Sequence, residues 1–383
     1  MEDKMRIGFI SSYPPVECGI ATYTQYLTDE LRKKGVDTYI VSHYGSQGKN
    51  VFPAFDYDDP DFSDKSFSMM MRFTPDIVHI QHEFGLYSGK FGLNIIPLIL
   101  NFRLIDIPVI TTLHTVYKDM PKEHKIITDA IVRNSIKVIV HENYQKDTLL
   151  NVIDKSFEDK IAVIPHGSRV IKEIDNAKKI LNLPDNSIVL TQIGYFRPSK
   201  NFETTIDIFN ELANKYENIL LVIAGKIRGI EHREYRDIIF KKIEESPFKN
   251  RIYLIRGQLS QSSFDTVISA SDIIILPYKI NSQSGILAHC LAFGKPVVSS
   301  ATLSMVQTFE KSKSGFACNT LEEYIEKTAA LIEDESLRKS MSINAKIYVK
   351  NEISWDIIAN KHIELYKKLT KVNINLDNII TLD

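Results

Sequence analysis

The chain has 383 residues, enough for two domains of ordinary size, and its 44 % hydrophobic and 25 % charged residues are the proportions of a folded globular protein. A formal net charge of -1 excludes a whole-molecule attraction to nucleic acid. The three cysteines, Cys18, Cys290 and Cys318, are scattered and odd in number, which excludes a disulfide framework and fits a reducing, cytoplasmic setting.

From the amino terminus, MEDKMRIGFISS has an apolar run too short for a signal peptide. Short β-branched runs then alternate with helix-period segments along the chain. The first half predicts strands at Arg6–Ser11, Thr38–Ser42, Ile77–Ile80, Pro108–Thr112, Lys137–His141 and Ile161–Pro165. An amphipathic segment, 22–33, follows the first of them and sets Tyr23, Leu27 and Leu31 on one stripe. The stretch from Leu93 to Phe102 is the longest apolar one. Asn94, Pro97 and Asn101 break it, so it is not expected to span a bilayer. Residues 118–137 set basic side chains beside apolar ones; a solvated helix face is the first reading, and a peripheral contact at the inner face of a membrane is the second. A pause with a charged segment at 167–184 marks a candidate boundary and hinge. The second half predicts strands at Ser187–Ile193, Ile219–Ala224, Arg251–Ile255, Asp272–Pro277 and Lys295–Ser299.

Runs such as IVLTQIG, ILLVIAG and DIIILP are apolar on both faces, as strands of a covered parallel sheet must be. About a dozen strands exceed one sheet of common size. The expectation is therefore α/β: two doubly wound parallel-sheet domains facing each other across a cleft. The predicted domains are 1–168 with the C-terminal helix 353–383, and 169–352. In such folds ligands sit beyond the carboxyl ends of the strands.

Candidate site residues fall at those ends. In NSQSGILAHCLAFGKPVVSS, Ser282, Ser284 and Gly285 open a helix whose exposed N–H groups and dipole suit a diphosphate; a plain serine cap with a packing glycine is the alternative. In IGYFRPSKNFE, Arg197 and Lys200 lie on a loop after a strand and suit phosphate oxygens. Gly225 and Gly257 also end strands, where they would let a nucleotide approach the backbone, and Gln258 follows in the same loop. Asp272 reads as a structural strand-start residue. In the first half Gly19 opens a helix without the GxGxxG pattern of dinucleotide oxidoreductases. His114 sits just past its strand end, expected to point outward to a sugar or acceptor hydroxyl, or else to be an ordinary loop histidine.

No metal is expected. His79 and His82 would point to opposite faces of a strand, and HExxH is absent. Asp56-Tyr57-Asp58 has the D-x-D spacing but sits in an acidic loop that reads as solvated surface. His82 and Glu83 suit acceptor binding. Cys290 and His289, adjacent on a helix, do not face each other.

Taken in order, CGIATYT, QHEFG, TLHTV, VIPHG, RPSK and AFGKPVV resemble family 4 glycosyltransferases of the GT-B fold over nearly the whole chain. The final ISWDIIANKHIELYKKL is similar to the helix that in this fold returns to the first Rossmann-like domain. Its apolar stripe is Trp355, Ile358, Ala359, Ile363, Tyr366 and Leu369. The resemblance implies retaining, metal-independent sugar transfer with no added cofactor. A UDP- or GDP-linked nucleotide sugar would sit on the second domain and a glycan or lipid-linked acceptor on the first. It also implies Arg197 and Lys200 on the diphosphate, Gly19 approaching it, and His114 on the transferred sugar.

One departure stands out. Two glutamates spaced by seven residues are usual in the family before the AxGxPVV stretch, and here Asn281 and His289 occupy those places. Asn281 would still hydrogen-bond a sugar hydroxyl, and His289, one turn after Gly285, would replace the ribose contact. The segment is similar to a subgroup with QSxSGxLAxA and no glutamates. The family's arginine position is Tyr195, with Arg197 two residues on. A catalytically silent partner of another transferase is the alternative the missing glutamates favour. A GT-B epimerase or phosphorylase lacks its expected carboxylates or pyridoxal lysine.

Overall fold

Aliphatic runs with both faces covered form strands, and segments with apolar residues three and four apart form helices against them. The computed structural model describes residues 4–227, 232–257, 259–280 and 284–377. The chain divides into two compact units, Met1–Gly167 with Trp355–Asp383, and Ser168–Ser354.

Unit 1 holds a seven-stranded parallel sheet of β1 (Arg6–Ile10), β2 (Asp37–His43), β3 (Val51–Phe55), β4 (Ile77–His82), β5 (Val109–Leu113), β6 (Lys137–Val140) and β7 (Ile161–Val163). The spatial order is β3-β2-β1-β4-β5-β6-β7, so the direction of winding reverses beside β1. β1 pairs with β4 from Ile7↔Ile77 to Ile10↔Ile80. The strand β3 escapes the sequence pattern because Pro53 interrupts it. An edge position tolerates that residue, since one face of the ladder needs no partner.

The helix Gly19–Lys33 buries Tyr23, Leu27 and Leu31 on the predicted stripe. These side chains share a core with Ile7, Phe9 and the C-terminal helix Trp355–Asp377, which supplies Trp355, Ile358, Ala359, Tyr366 and Leu369. A Cβ placed on Gly167 would stand 2.3 Å from the Trp355 ring, so this glycine lets the strand exit pass the indole.

Unit 2 holds a six-stranded parallel sheet of β8 (Ile188–Tyr195), β9 (Ile219–Lys226), β10 (Ile252–Arg256), β11 (Ile273–Leu276), β12 (Val297–Ser300) and β13 (Gly315–Cys318), in the order β10-β9-β8-β11-β12-β13. The four-residue edge strand β13, with its glycine, also falls below the sequence signal. The helix Phe202–Lys215 buries Phe202, Ile206, Phe209 and Leu212 against this sheet. Asp272 accepts the Val189 N–H at 2.8 Å and pairs with Lys178, which confirms its structural reading.

The segment expected to act as a hinge is held onto unit 2 for its first residues. Arg169 makes two hydrogen bonds to Asp265, and Glu173 pairs with both Lys295 and Lys346. The lysine of AFGKPVV is thus a buried structural cation.

Candidate functional site

Each sheet gathers chemistry-bearing residues at its carboxyl end. In unit 2, β8 runs into a short 3₁₀ turn, Pro198–Lys200, ahead of the helix Phe202–Lys215. Asn201 takes a left-handed φ of 53°, which turns the chain between the two. Gln192 donates to the Lys200 carbonyl at 2.7 Å, and Lys279 N–H donates to the Ser199 carbonyl at 2.9 Å, so the turn is tied to its own strand and to the loop after β11. The Lys200 ammonium lies 3.4 Å from the centre of the Tyr278 ring. Among the described residues it has no carboxylate partner. Burial pushes its pKa down to about 7, with the like charge of Arg197 adding to the shift. Arg197 is exposed on the same turn. A half-buried cation held by an aromatic face and facing no counter-charge is a ready receptor for an anion.

The loop after β11 leads to the helix Gly285–Ala292, where Ser284 caps the start by accepting the Leu287 N–H at 3.2 Å. Gly294 stops the helix with φ 64°. His289 lies on the helix with its Nδ1 3.5 Å from Arg169, and its ring meets Phe264 edge-on at 5.2 Å. A guanidinium can only donate, so Nδ1 accepts and the proton sits on Nε2. Burial holds the His289 pKa down to about 4, and the Arg169 charge acts in the same direction. Cys290, its neighbour, faces the core instead. Gln258, Asn281 and Ser282 lie outside the described residues.

The glycines separate into two kinds. A Cβ on Gly225 would stand 1.9 Å from the Gly194 carbonyl oxygen, so packing between β8 and β9 is itself a reason for glycine there. A Cβ on Gly19 or on Gly257 would meet nothing within 4 Å. Gly257 has a φ of 115°, which itself favours glycine, whereas no internal packing demands glycine at position 19. Gly19 is the first residue of its helix, with its N–H end open at the carboxyl edge of unit 1.

That edge carries histidines at the ends of four strands. His82 ends β4, and His114, His141 and His166 follow β5, β6 and β7. The Tyr23 ring sits among His114, His141, His166 and Trp355, with centroid distances of 4.8, 5.4, 5.1 and 5.0 Å. His114 was expected to point outward; its ring is only 8 % exposed, and both of its nitrogens have partners inside the unit. Nε2 is 2.8 Å from the Gln81 carboxamide, and Nδ1 is 3.4 Å from His141.

His82 and Glu83 do come beside the β5 end: His114 N–H donates to the His82 carbonyl, and Thr115 donates to Glu83. His82 Nε2 is buried without a hydrogen-bond partner among the described residues, and burial pushes its pKa down to about 3. A neutral ring nitrogen left unsatisfied beside a carboxylate suits a hydroxyl-bearing ligand.

His79 and His82 point into different surroundings, as strand alternation requires: His79 meets Phe9, Tyr366 and His362, whereas His82 meets Phe84. Among the described residues no group of three or more histidine, cysteine or carboxylate side chains could hold a metal ion. Asp56 and Asp58 are exposed. The helix Lys122–Asn134 presents Ile126, 57 % exposed, beside exposed Lys122 and Lys125. Among the described residues no helix is long and apolar enough to cross a membrane.

Sequence reasoning missed Gln81, His141, His166, Tyr23 and the Arg169–Asp265 pair. The signal for two of them, His141 and His166, was present: a histidine closes β4 and directly follows, or lies within three residues of, the ends of β5, β6 and β7.

Residues 18–169 match the family model described as Glycosyltransferase Family 4, and residues 173–348 match that described as Glycosyl transferases group 1. An uncharacterized glycosyltransferase of Methanocaldococcus jannaschii is 25 % identical over 248 residues, 64 % of this chain and 58 % of that relative, so the match spans little more than half of the relative's length. The structure is similar to sucrose-phosphate synthase from Thermosynechococcus elongatus, with a TM-score of 0.79 and 17 % identity over 96 % of this chain and 100 % of that one. It is also similar to Anabaena HepE in complex with UDP-glucose, with a TM-score of 0.75 and 14 % identity over 95 % and 100 % of the two chains.

Proposed function

Because the chain belongs to the family 4, group 1 glycosyltransferases of the GT-B fold, we propose that it moves a hexose from a nucleoside-diphosphate donor to a hydroxyl acceptor with retention and without a metal. One observation carries this reading: Lys200, half-buried, seated on the Tyr278 ring and without a carboxylate partner among the described residues, at the carboxyl edge of the unit 2 sheet. A structural lysine in that setting would have an acidic partner, as Lys295 has Glu173. A diphosphate supplies the missing charge, and Lys200 with Arg197 would stabilise it as it leaves.

In this reading the Ser284-capped helix start offers N–H groups to the same anion. His289 donates from Nε2 to a ribose hydroxyl, a contact that a glutamate would make as an acceptor. Asn281 contacts the donor sugar. Gly225 and Gln258 border the base, and Gly19, in unit 1, presents a helix N–H end suited to a phosphate. His82 and Glu83 hold the acceptor, a glycan or a lipid-linked sugar, and exposed Ile126 with Lys122 and Lys125 provides a surface for a membrane-borne one. HepE binds UDP-glucose, which supports a uridine nucleotide as the first donor to try, with GDP-sugars next.

The test is a donor screen that follows nucleotide release and the anomeric configuration of the product, with and without EDTA. An axial donor giving an axial product at an undiminished rate in EDTA is the expected result. Inversion, or a loss that added metal reverses, would contradict the mechanism. The second reading, a catalytically silent partner of another transferase, is favoured by Asn281 and His289 standing where glutamates are usual. Nucleotide binding without turnover against any donor would support it.

A further inference from the structure

A buried chain of polar side chains crosses unit 1 from the C-terminal helix to the carboxyl edge of its sheet. Tyr366 Oη is 2.7 Å from His79 Nδ1. His79 Nε2 is 2.7 Å from Thr112 Oγ1 and 3.3 Å from the Gln81 carboxamide, whose other atom is 2.8 Å from His114 Nε2. His114 Nδ1 is 3.4 Å from His141 Nε2, and His141 Nδ1 is 3.0 Å from the Ile164 carbonyl oxygen. Tyr366, His79, Gln81, Thr112, His114 and His141 are all buried.

The last link sets the direction of the others. A carbonyl oxygen only accepts, so His141 carries its proton on Nδ1, and its Nε2 is a lone pair. His114 must then donate from Nδ1, or two lone pairs would face each other at 3.4 Å. A neutral His114 protonated on Nδ1 has an acceptor at Nε2, and Gln81 can satisfy it only with its amide NH₂. The carboxamide oxygen then turns to His79, which donates from Nε2, and Tyr366 O–H donates into His79 Nδ1. Each of these links then joins a donor to an acceptor. With the Gln81 oxygen against His114, by contrast, an extra proton must sit on the His114–His141 pair. Burial and the neighbouring histidines oppose that charge.

We infer that Gln81 and His141 are positioning residues that hold His114 as the neutral Nδ1–H tautomer, with Nε2 an acceptor aimed at the Gln81 amide. A sugar hydroxyl that replaces the amide at His114 Nε2 must therefore donate its hydrogen bond to the ring. This last consequence rests on the glycosyltransferase reading; the tautomer itself does not.

The experiment is long-range nitrogen–proton NMR at pH 7 on the full, unliganded chain labelled with ¹⁵N-histidine, with His114→Asn assigning the His114 signal by its loss. The expected result is a neutral His114 protonated at Nδ1. A His114 protonated at Nε2, or an imidazolium, overturns the inference. In Gln81→Glu the two oxygens can only accept, so His114 is expected to switch to an Nε2–H or imidazolium signature. Folding of the variant is checked in the same unit by an unchanged His43 signal and unchanged Trp355 fluorescence. An unchanged His114 spectrum in folded Gln81→Glu also overturns it. Because no substrate is present, failure here leaves the transferase reading standing, and failure of that reading leaves this result intact.

Discussion

At the scale of single residues, Lys200 shows how burial without a counter-charge prepares a group for an anion. Its free-state pKa is pushed down to about 7, so near neutrality much of the population has lost the proton. A bound diphosphate favours the charged form and raises that pKa. The contribution to affinity is therefore complete below pH 7 and is lost as pH rises through the higher, bound-state value. Calorimetry of nucleotide binding at pH 8 in buffers of different ionisation enthalpy should show proton uptake. Lys200→Arg, which stays charged, should abolish that uptake while keeping most of the affinity. Equal uptake in the variant would assign the proton to another group. The role of His114 was half legible in the sequence. Its place after β5 followed from the TLHTV pattern, but its burial against Tyr23 depends on a helix and on a tryptophan more than 200 positions away, which no local pattern encodes.

At the scale of elements, two glycines proposed as binding residues, one in each unit, make opposite predictions. Gly225→Ala puts a methyl group 1.9 Å from the Gly194 carbonyl oxygen and must push β8 from β9. The expected cost is about 1–3 kcal/mol, read as a lower urea midpoint. Gly19→Ala meets nothing within 4 Å and adds a good helix former at a helix start. Its stability should hold or rise by about 0.4–1 kcal/mol, while turnover falls if a phosphate approaches that N–H end. A stable Gly225→Ala would show that β8 and β9 can part without cost. A fully active Gly19→Ala would remove Gly19 from the site. The central strands were legible because both of their faces are apolar. The edge strands β3 and β13 were not, since an edge admits Pro53 and a four-residue run. The Gly225 requirement was hidden as well, because it comes from a neighbouring strand and not from its own.

At the scale of the whole molecule, the buried histidines gather in unit 1. His79 and His114 are held well below the ordinary range, His82 near 3, and His43, His141 and His362 near 4, each chiefly by burial. The unfolded chain binds these protons near pH 6.5 and the folded unit does not. Stability is thus present above about pH 6.5 and falls as pH drops toward 4, by about 1.4 kcal/mol per pH unit for each such group. Trp355 is the only tryptophan and packs on Tyr23 in this unit, so its fluorescence reports the transition directly. An acid unfolding midpoint above pH 4 is expected. Trp355 emission unchanged to pH 4 would mean that the histidines charge without unfolding the unit. Two doubly wound sheets were readable from strand–helix alternation, and the return of the C-terminal helix came from the family resemblance, which the Trp355 stripe suits. The clustering of histidines was readable only as a recurrence at strand ends, and its meaning needed the strand order that brings β4 to β7 side by side.

The central claim is that the carboxyl edge of the unit 2 sheet binds a nucleoside diphosphate through Lys200. Titration calorimetry of UDP and GDP against the wild-type chain and Lys200→Ala at pH 7 tests it most directly. The account predicts binding of one nucleotide to the wild type, with about a tenfold to hundredfold weaker association in the variant, the value of one hydrogen bond to a charged group. Equal affinity in the two proteins, or no binding of either nucleotide to the wild type, would contradict it.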